Sequence, residues 1–174
     1  MISTEYVRLM AAYTTWQNRN LYDAADTLDD DARLADRGAF FGSIHATLNH
    51  VLWGDQLWMH RLAGTPPPDQ PDIPGSVSTH TRWDDLKADR LETDTRMLDW
   101  SAGLQPEALE GTLRWHSGVI GAEIARPRWA LVVQLFNHGT HHRGQVHAML
   151  TAAGARPSDT DVQFMPVAQY PWPD

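Results

Sequence analysis

Residues 136–145, Phe136-Asn137-His138-Gly139-Thr140-His141-His142-Arg143-Gly144-Gln145, place three of the nine histidines of this 174-residue chain within five positions. On a helix of about 100° per residue, His138 and His142 leave one face roughly 40° apart and ~6 Å apart along the axis, close enough to share one ion. The same wheel sets Leu131 and Met149 at about 20° from His138, Leu135 at about 60° and Val146 at about 80°, so both imidazoles lie on the apolar face. A neutral imidazole among leucines costs free energy unless both ring nitrogens find partners, which hydrogen bonds or a metal can supply. His141 falls about 60° to the other side and reads as a boundary residue, while His147 lies opposite and reads as exposed. The pair His138 and His141 is an alternative of acceptable geometry.

The helix carrying this stretch opens near Pro127, a favoured first-turn residue, and closes near Ala153, where Gly154 supplies the left-handed residue that follows many helices. Three more helical patterns precede it. One runs from about Thr4 to Leu28 on Tyr6, Leu9, Met10, Tyr13, Trp16 and Leu21. Another starts after Ser43 as cap and reaches about Leu62, where Gly64 and then Pro66, Pro67, Pro68, Pro71 and Pro74 end it. The third spans about Trp83 to Ala102, with Thr81 as N-cap and Gly103 and Pro106 as the stop. In residues 104–126, Gly111, Gly118 and Gly121 interrupt Leu113, Trp115, Val119 and Ile124, a pattern that suits a short hairpin. The expected fold is all-α: one domain over residues 1–174, a four-helix bundle whose Pro-rich second connection is long enough for a crossover.

Composition narrows the function. Fourteen Lys plus Arg against 22 Asp plus Glu give a formal charge of -8, and no basic run stands ready to neutralise phosphates, so nucleic acid and membrane surfaces are not expected partners. Without cysteine, a metal can be held only by histidine and carboxylate, and neither disulfides nor a thiol nucleophile is available. The N-terminus has no basic region followed by an apolar core, and no apolar run reaches membrane-spanning length, so a soluble cytoplasmic protein is expected.

Two histidines are too few for a tight zinc site, which takes three protein ligands when catalytic. His45, His50, His60, His80 and His116 remain as candidates for the third. On the second helix Ala46, Thr47, Trp53, Gly54 and Leu57 lie within about 60° of His50, whereas His45 is about 140° away. Small neighbours let another helix approach closely, which makes His50 the better ligand, with Asp55 or a glutamate as chemically acceptable alternatives. A His pair four apart also arises by chance, and two hydrogen-bonded core histidines would leave the same pattern. No Glu stands three residues before His138 or His142, so the Glu-x-x-His pattern of carboxylate-bridged di-metal bundles is missing.

Three stretches resemble the DinB/YfiT family of small metal-binding bundle proteins. They are Tyr13-Thr14-Thr15-Trp16-Gln17-Asn18, the segment Ser43 to Asp55, and most closely Asn137-His138 through His142-Arg143-Gly144-Gln145-Val146 with Leu150 and the Gly154 ending. The resemblance covers about residues 6–165. It implies a four-helix bundle, usually homodimeric, in which His50, His138 and His142 hold a divalent metal such as zinc or nickel. Some related proteins act as S-transferases or isomerases using low-molecular-weight thiols. Three neutral imidazoles leave a divalent ion its full charge and an open position for water or substrate, which suits catalysis more than structure. The expected activity is therefore metal-assisted attack of a thiol or water on a small electrophile, with a non-catalytic metal- or small-molecule-binding protein as the alternative. Beyond the ligands no catalytic residue stands out. Gln145 and Arg143 read more readily as a backbone-bonded core glutamine and an exposed or ion-paired arginine, and Trp53 is the tryptophan placed to line the metal cavity.

Overall fold

The computed structural model describes residues 2–170 and 172; residues 1, 171, 173 and 174, which the single-domain expectation included, lie outside it. Among the described residues, four long helices make the body of the fold. Helix α1 spans Thr4–Asp26 and is capped by Ser3, whose hydroxyl accepts from the Tyr6 amide. A short helix α2, Asp30–Leu34, follows on an Asp29 cap. Helix α3, Ile44–Ala63, starts on Ser43 as expected and ends at Gly64, whose φ of 72° is the left-handed turn that releases the chain. The Pro-rich connection contains a second short helix, α4, Ile73–Ser76. Helix α5, Trp83–Gly103, is capped not by Thr81 but by the extended backbone of Arg82, with no side-chain hydrogen bond. Asp84 and Asp85 supply the carboxylates that favour the helix start. Helix α6, Arg128–Ala152, begins after Pro127 and is closed by Gly154 at φ 87°.

The strictly all-α expectation needs correction at one place. Residues Thr112–Ser117 (β1) and Ala122–Pro127 (β2) pair antiparallel, from Thr112 opposite Pro127 to Ser117 opposite Ala122, which makes the hairpin a two-stranded sheet. Its turn closes through the Gly121 amide on the Ser117 carbonyl. Trp115 of β1 meets Trp58 of α3 edge-on at 5.9 Å, and the Arg61 guanidinium lies over both rings. The strands thus fasten the α5–α6 connection to the C-terminal half of α3.

Side-chain pairings give the helix directions. Asn18 faces Asp94 and Asp26 reaches Trp83, so α1 and α5 are antiparallel. Gln56 meets Asp89 while His45 lies against Trp83, so α3 and α5 run the same way, and residues 64–82 are the expected crossover. Arg128 bonds the Leu62 carbonyl and His50 meets His138, which makes α3 and α6 antiparallel. Around the ring the neighbours run α1, α5, α3, α6, so α1 and α3 stand on one diagonal and α5 and α6 on the other.

Two apolar clusters fill the ends of the bundle. One joins Leu21, Ile44, Leu48, Leu86, Val146 and Leu150; the other joins Val7, Met59, Met97, Leu131, Leu135 and Phe136. Between them is a polar waist. Arg90 of α5 pairs with Asp55 of α3 and Asp94 of its own helix, each at 2.7 Å, and Asn18 of α1 donates to Asp94 at 2.9 Å. Arg143 of α6 is also buried there, bonded through Nη2 to Thr140, so it is neither exposed nor directly ion-paired as the sequence suggested. Its guanidinium folds back over Gly139, where a Cβ would stand 2.8 Å from Nη1. Burial pulls Arg143 below the ordinary guanidinium range and the field of Asp55 opposes that pull. Two arginines and two aspartates leave the waist formally neutral. No helix among the described residues is long and apolar enough to cross a membrane.

Candidate metal centre

The waist also brings together His50 from α3 and His138 and His142 from α6. Their nearest ring nitrogens all lie within 4.8 Å of one another, the arrangement expected of three ligands to one ion. His50 Nε2 and His138 Nε2 are 3.2 Å apart. Two imidazoles on a tetrahedral ion at about 2.0–2.1 Å hold their nitrogens roughly 3.3 Å apart, so this spacing fits the ion. The close approach depends on Gly54: a Cβ there would stand 2.5 Å from His138 Cε1. The small-residue face predicted around His50 has this as its physical use.

Outer hydrogen bonds select the nitrogens. His50 Nδ1 lies 2.8 Å from Ser76 Oγ, and His142 Nδ1 lies 2.8 Å from Gln145 Oε1, which can only accept. His142 therefore carries its proton on Nδ1 and turns a bare Nε2 inward. Gln145 is thus a partner of the cluster, where the sequence favoured a backbone-bonded core residue. His138 is the unsatisfied member, because its buried Nδ1 has no hydrogen-bond partner among the described residues. With Nε2 of His50 bare, a neutral His138 either faces it lone pair to lone pair or protonates Nε2 and strands Nδ1. A cation between the inward nitrogens replaces the lone-pair repulsion with attraction to both, which is the sense in which the residues fit a metal.

Burial, reinforced by the neighbouring His138 and His142, pushes His50 down to about 3. Burial likewise takes His138 down to about 4 against an opposing pull from Asp55, and lowers His142 against its bond to Gln145. All three rings are neutral at pH 7, the state a metal requires of its ligands. Aromatic rings wall the cluster: Trp53 stacks on His50 at 5.7 Å between centroids, as its place on α3 suggested, and Phe41 lies 4.0 Å from His50 and 5.4 Å from His142. Phe41 comes from a turn and Ser76 from the single turn of α4, both too short for helical periodicity to carry a signal.

The remaining histidines do not join. His45 is buried beside Asn49, His60 bonds the Thr65 carbonyl, His80 pairs with Asp89 at 2.8 Å, and His116 sits on the hairpin near Glu123. His141 is exposed and His147 half-buried, the reverse of the sequence reading. The reason is that residues 157–161 fold back beside His147 after α6 ends, an event outside the helical wheel.

Fold and site together define a helical bundle with a three-histidine cluster, two of its rings buried and His138 half-buried, in the seam between two antiparallel helices. The chain belongs to the DinB family, whose model matches residues 1–172. It is similar to Protein DinB of Bacillus subtilis (strain 168), with 25% identity over 157 residues that cover 86% of this chain and 87% of the relative. No solved structure matches the chain.

Proposed function

We propose that the protein is a divalent-metal enzyme in which Nε2 of His50, His138 and His142 hold the ion, and that it promotes attack of a low-molecular-weight thiol or water on a small electrophile, as an S-transferase does. The observation that carries this reading is the set of converging ring nitrogens within 4.8 Å, two of them at the spacing that imidazoles take on a single ion. When bound, zinc or nickel supplies positive charge that lowers the pKa of a bound thiol or water and polarises a carbonyl. The chain's own part is to hold three neutral rings in place and to wall them with Phe41 and Trp53, keeping bulk water from the ligands. Three histidine ligands leave room for a small molecule.

A non-catalytic metal- or small-molecule-binding protein is the second reading, favoured by the closeness of the Phe41 ring to His50. Metal analysis of protein purified without chelator or nickel resin, paired with thiol consumption against model electrophiles on the same sample, separates the two. One bound ion with thiol turnover supports the enzyme; one bound ion without turnover supports the binder; no bound ion removes both metal readings. The family resemblance further supports a homodimer, for which light scattering after gel filtration should give twice the chain mass of 19.6 kDa.

A further inference from the structure

We infer that Ser76, in the crossover connection, is a positioning residue that fixes the tautomer of His50 and makes the connection a working part of the centre. This rests on the metal reading above. Ser76 is 0% exposed, and its hydroxyl proton is committed to the Ile73 carbonyl 2.6 Å away. A hydroxyl has one proton to give, so toward His50 Nδ1 at 2.8 Å this oxygen can only accept. His50 must then carry its hydrogen on Nδ1 and present a bare Nε2 to the other imidazoles. A serine whose proton was free could donate to Nδ1 instead and leave Nε2–H, a form that cannot ligate through Nε2.

The carbonyl that makes this choice belongs to α4. Asp72 caps that turn through the Gly75 amide at 2.8 Å, and a Cβ on Gly75 would stand 2.6 Å from Gln70 Oε1, so the turn is tightly closed. Helix α3 grips the connection on both sides of the His50 contact. Trp53 Nε1 donates to the Gln70 carbonyl at 2.8 Å, and Asn49 accepts from the His80 amide at 2.8 Å while donating to the His80 carbonyl. The connection is therefore attached to consecutive contact points of α3, with the ligand histidine as the middle one. Ligation at Nε2 makes Nδ1–H a stronger donor, so metal binding should tighten the Ser76 contact and slow exchange of backbone amides around it.

The test begins with the wild-type protein free of metal. Imidazole nitrogen NMR should show His50 as the Nδ1–H tautomer, and finding Nε2–H would overturn the inference without any variant. Zinc titration against a chromogenic chelator should then show Ser76→Ala weakened about 10–100-fold, while Ser78→Ala, an exposed serine of the same connection, stays within about twofold. Zinc should slow amide exchange over residues 72–80 in wild type and much less in Ser76→Ala. A folded Ser76→Ala protein that keeps wild-type zinc affinity overturns the proposal. A wild type that takes no zinc ends the metal reading, and the tautomer measurement still decides what Ser76 does.

Discussion

Gly54 shows how one missing carbon shapes the centre. In a helix interior, replacing glycine by alanine ordinarily stabilises by about 1 kcal/mol. Here the added methyl would stand 2.5 Å from Cε1 and 2.9 Å from Nδ1 of His138. Gly54→Ala is expected to reverse the usual sign, lowering stability by about 1–3 kcal/mol in urea titration and weakening metal binding at least tenfold. The ligands themselves give a sharper contrast. His50→Ala, His138→Ala and His142→Ala should each cut bound metal sharply by elemental analysis, and His147→Ala should not; full occupancy in all three would falsify the ligand assignment. Protons should tell the same story in the metal-free protein. The folded-state values of His50 and His138 are about 3 and 4, whereas an unfolded histidine titrates near 6.5, so below that pH the unfolded chain binds more protons. Stability is then full above about pH 6.5 and falls as the pH drops toward the folded values. Urea midpoints compared at about pH 7.5 and 5 should be lower at the acid end; equal midpoints would mean that the rings are not held neutral by burial.

At the scale of the element, α6 is where sequence and structure agree best, because apolar periodicity, Pro127 and Gly154 act locally. His138 and His142 were legible for that reason, and His50 was legible from the small residues beside it together with the family resemblance. The connections were not. Phe41, Ser76 and the short helices α2 and α4 owe their places to contacts with α3 and α6 that no periodic pattern encodes. Arg143 was misread because the wheel assigns a face but not the partner helix that buries it, and Thr81 because extended Arg82 precedes α5 instead. The hairpin was visible only as glycines among apolar residues, yet it is clamped to α3. Trp115→Ala removes the ring packed against Trp58 and Arg61 and should cost about 1–3 kcal/mol in chemical denaturation, with metal affinity unchanged, since the hairpin lies against the part of α3 beyond the histidine cluster.

For the whole molecule, the polar waist is the least forgiving layer. Arg90 is 3% exposed and serves two carboxylates, Asp55 of the neighbouring helix α3 and Asp94 of its own helix. Burial already lifts Asp94 above the usual carboxylate range although Arg90 pulls it down, so the layer has little to spare. Arg90→Met keeps the bulk and removes the charge, stranding two buried acids, and is expected to cost about 3–5 kcal/mol in denaturant titration. A near-neutral result would mean that the pair is dispensable to stability.

The diagonal placement of α1 against α3 and of α5 against α6 also bears on when the centre can come into being. His50 and His138 are 88 positions apart, and both long connections must be laid before they meet. Such a contact closes late, since chain entropy must be spent before it returns anything. A chain still lacking α6 would hold one histidine of the set, so an ion arriving during synthesis has nothing to grip until the last helix docks. Metal uptake would then act as a clock for completed folding.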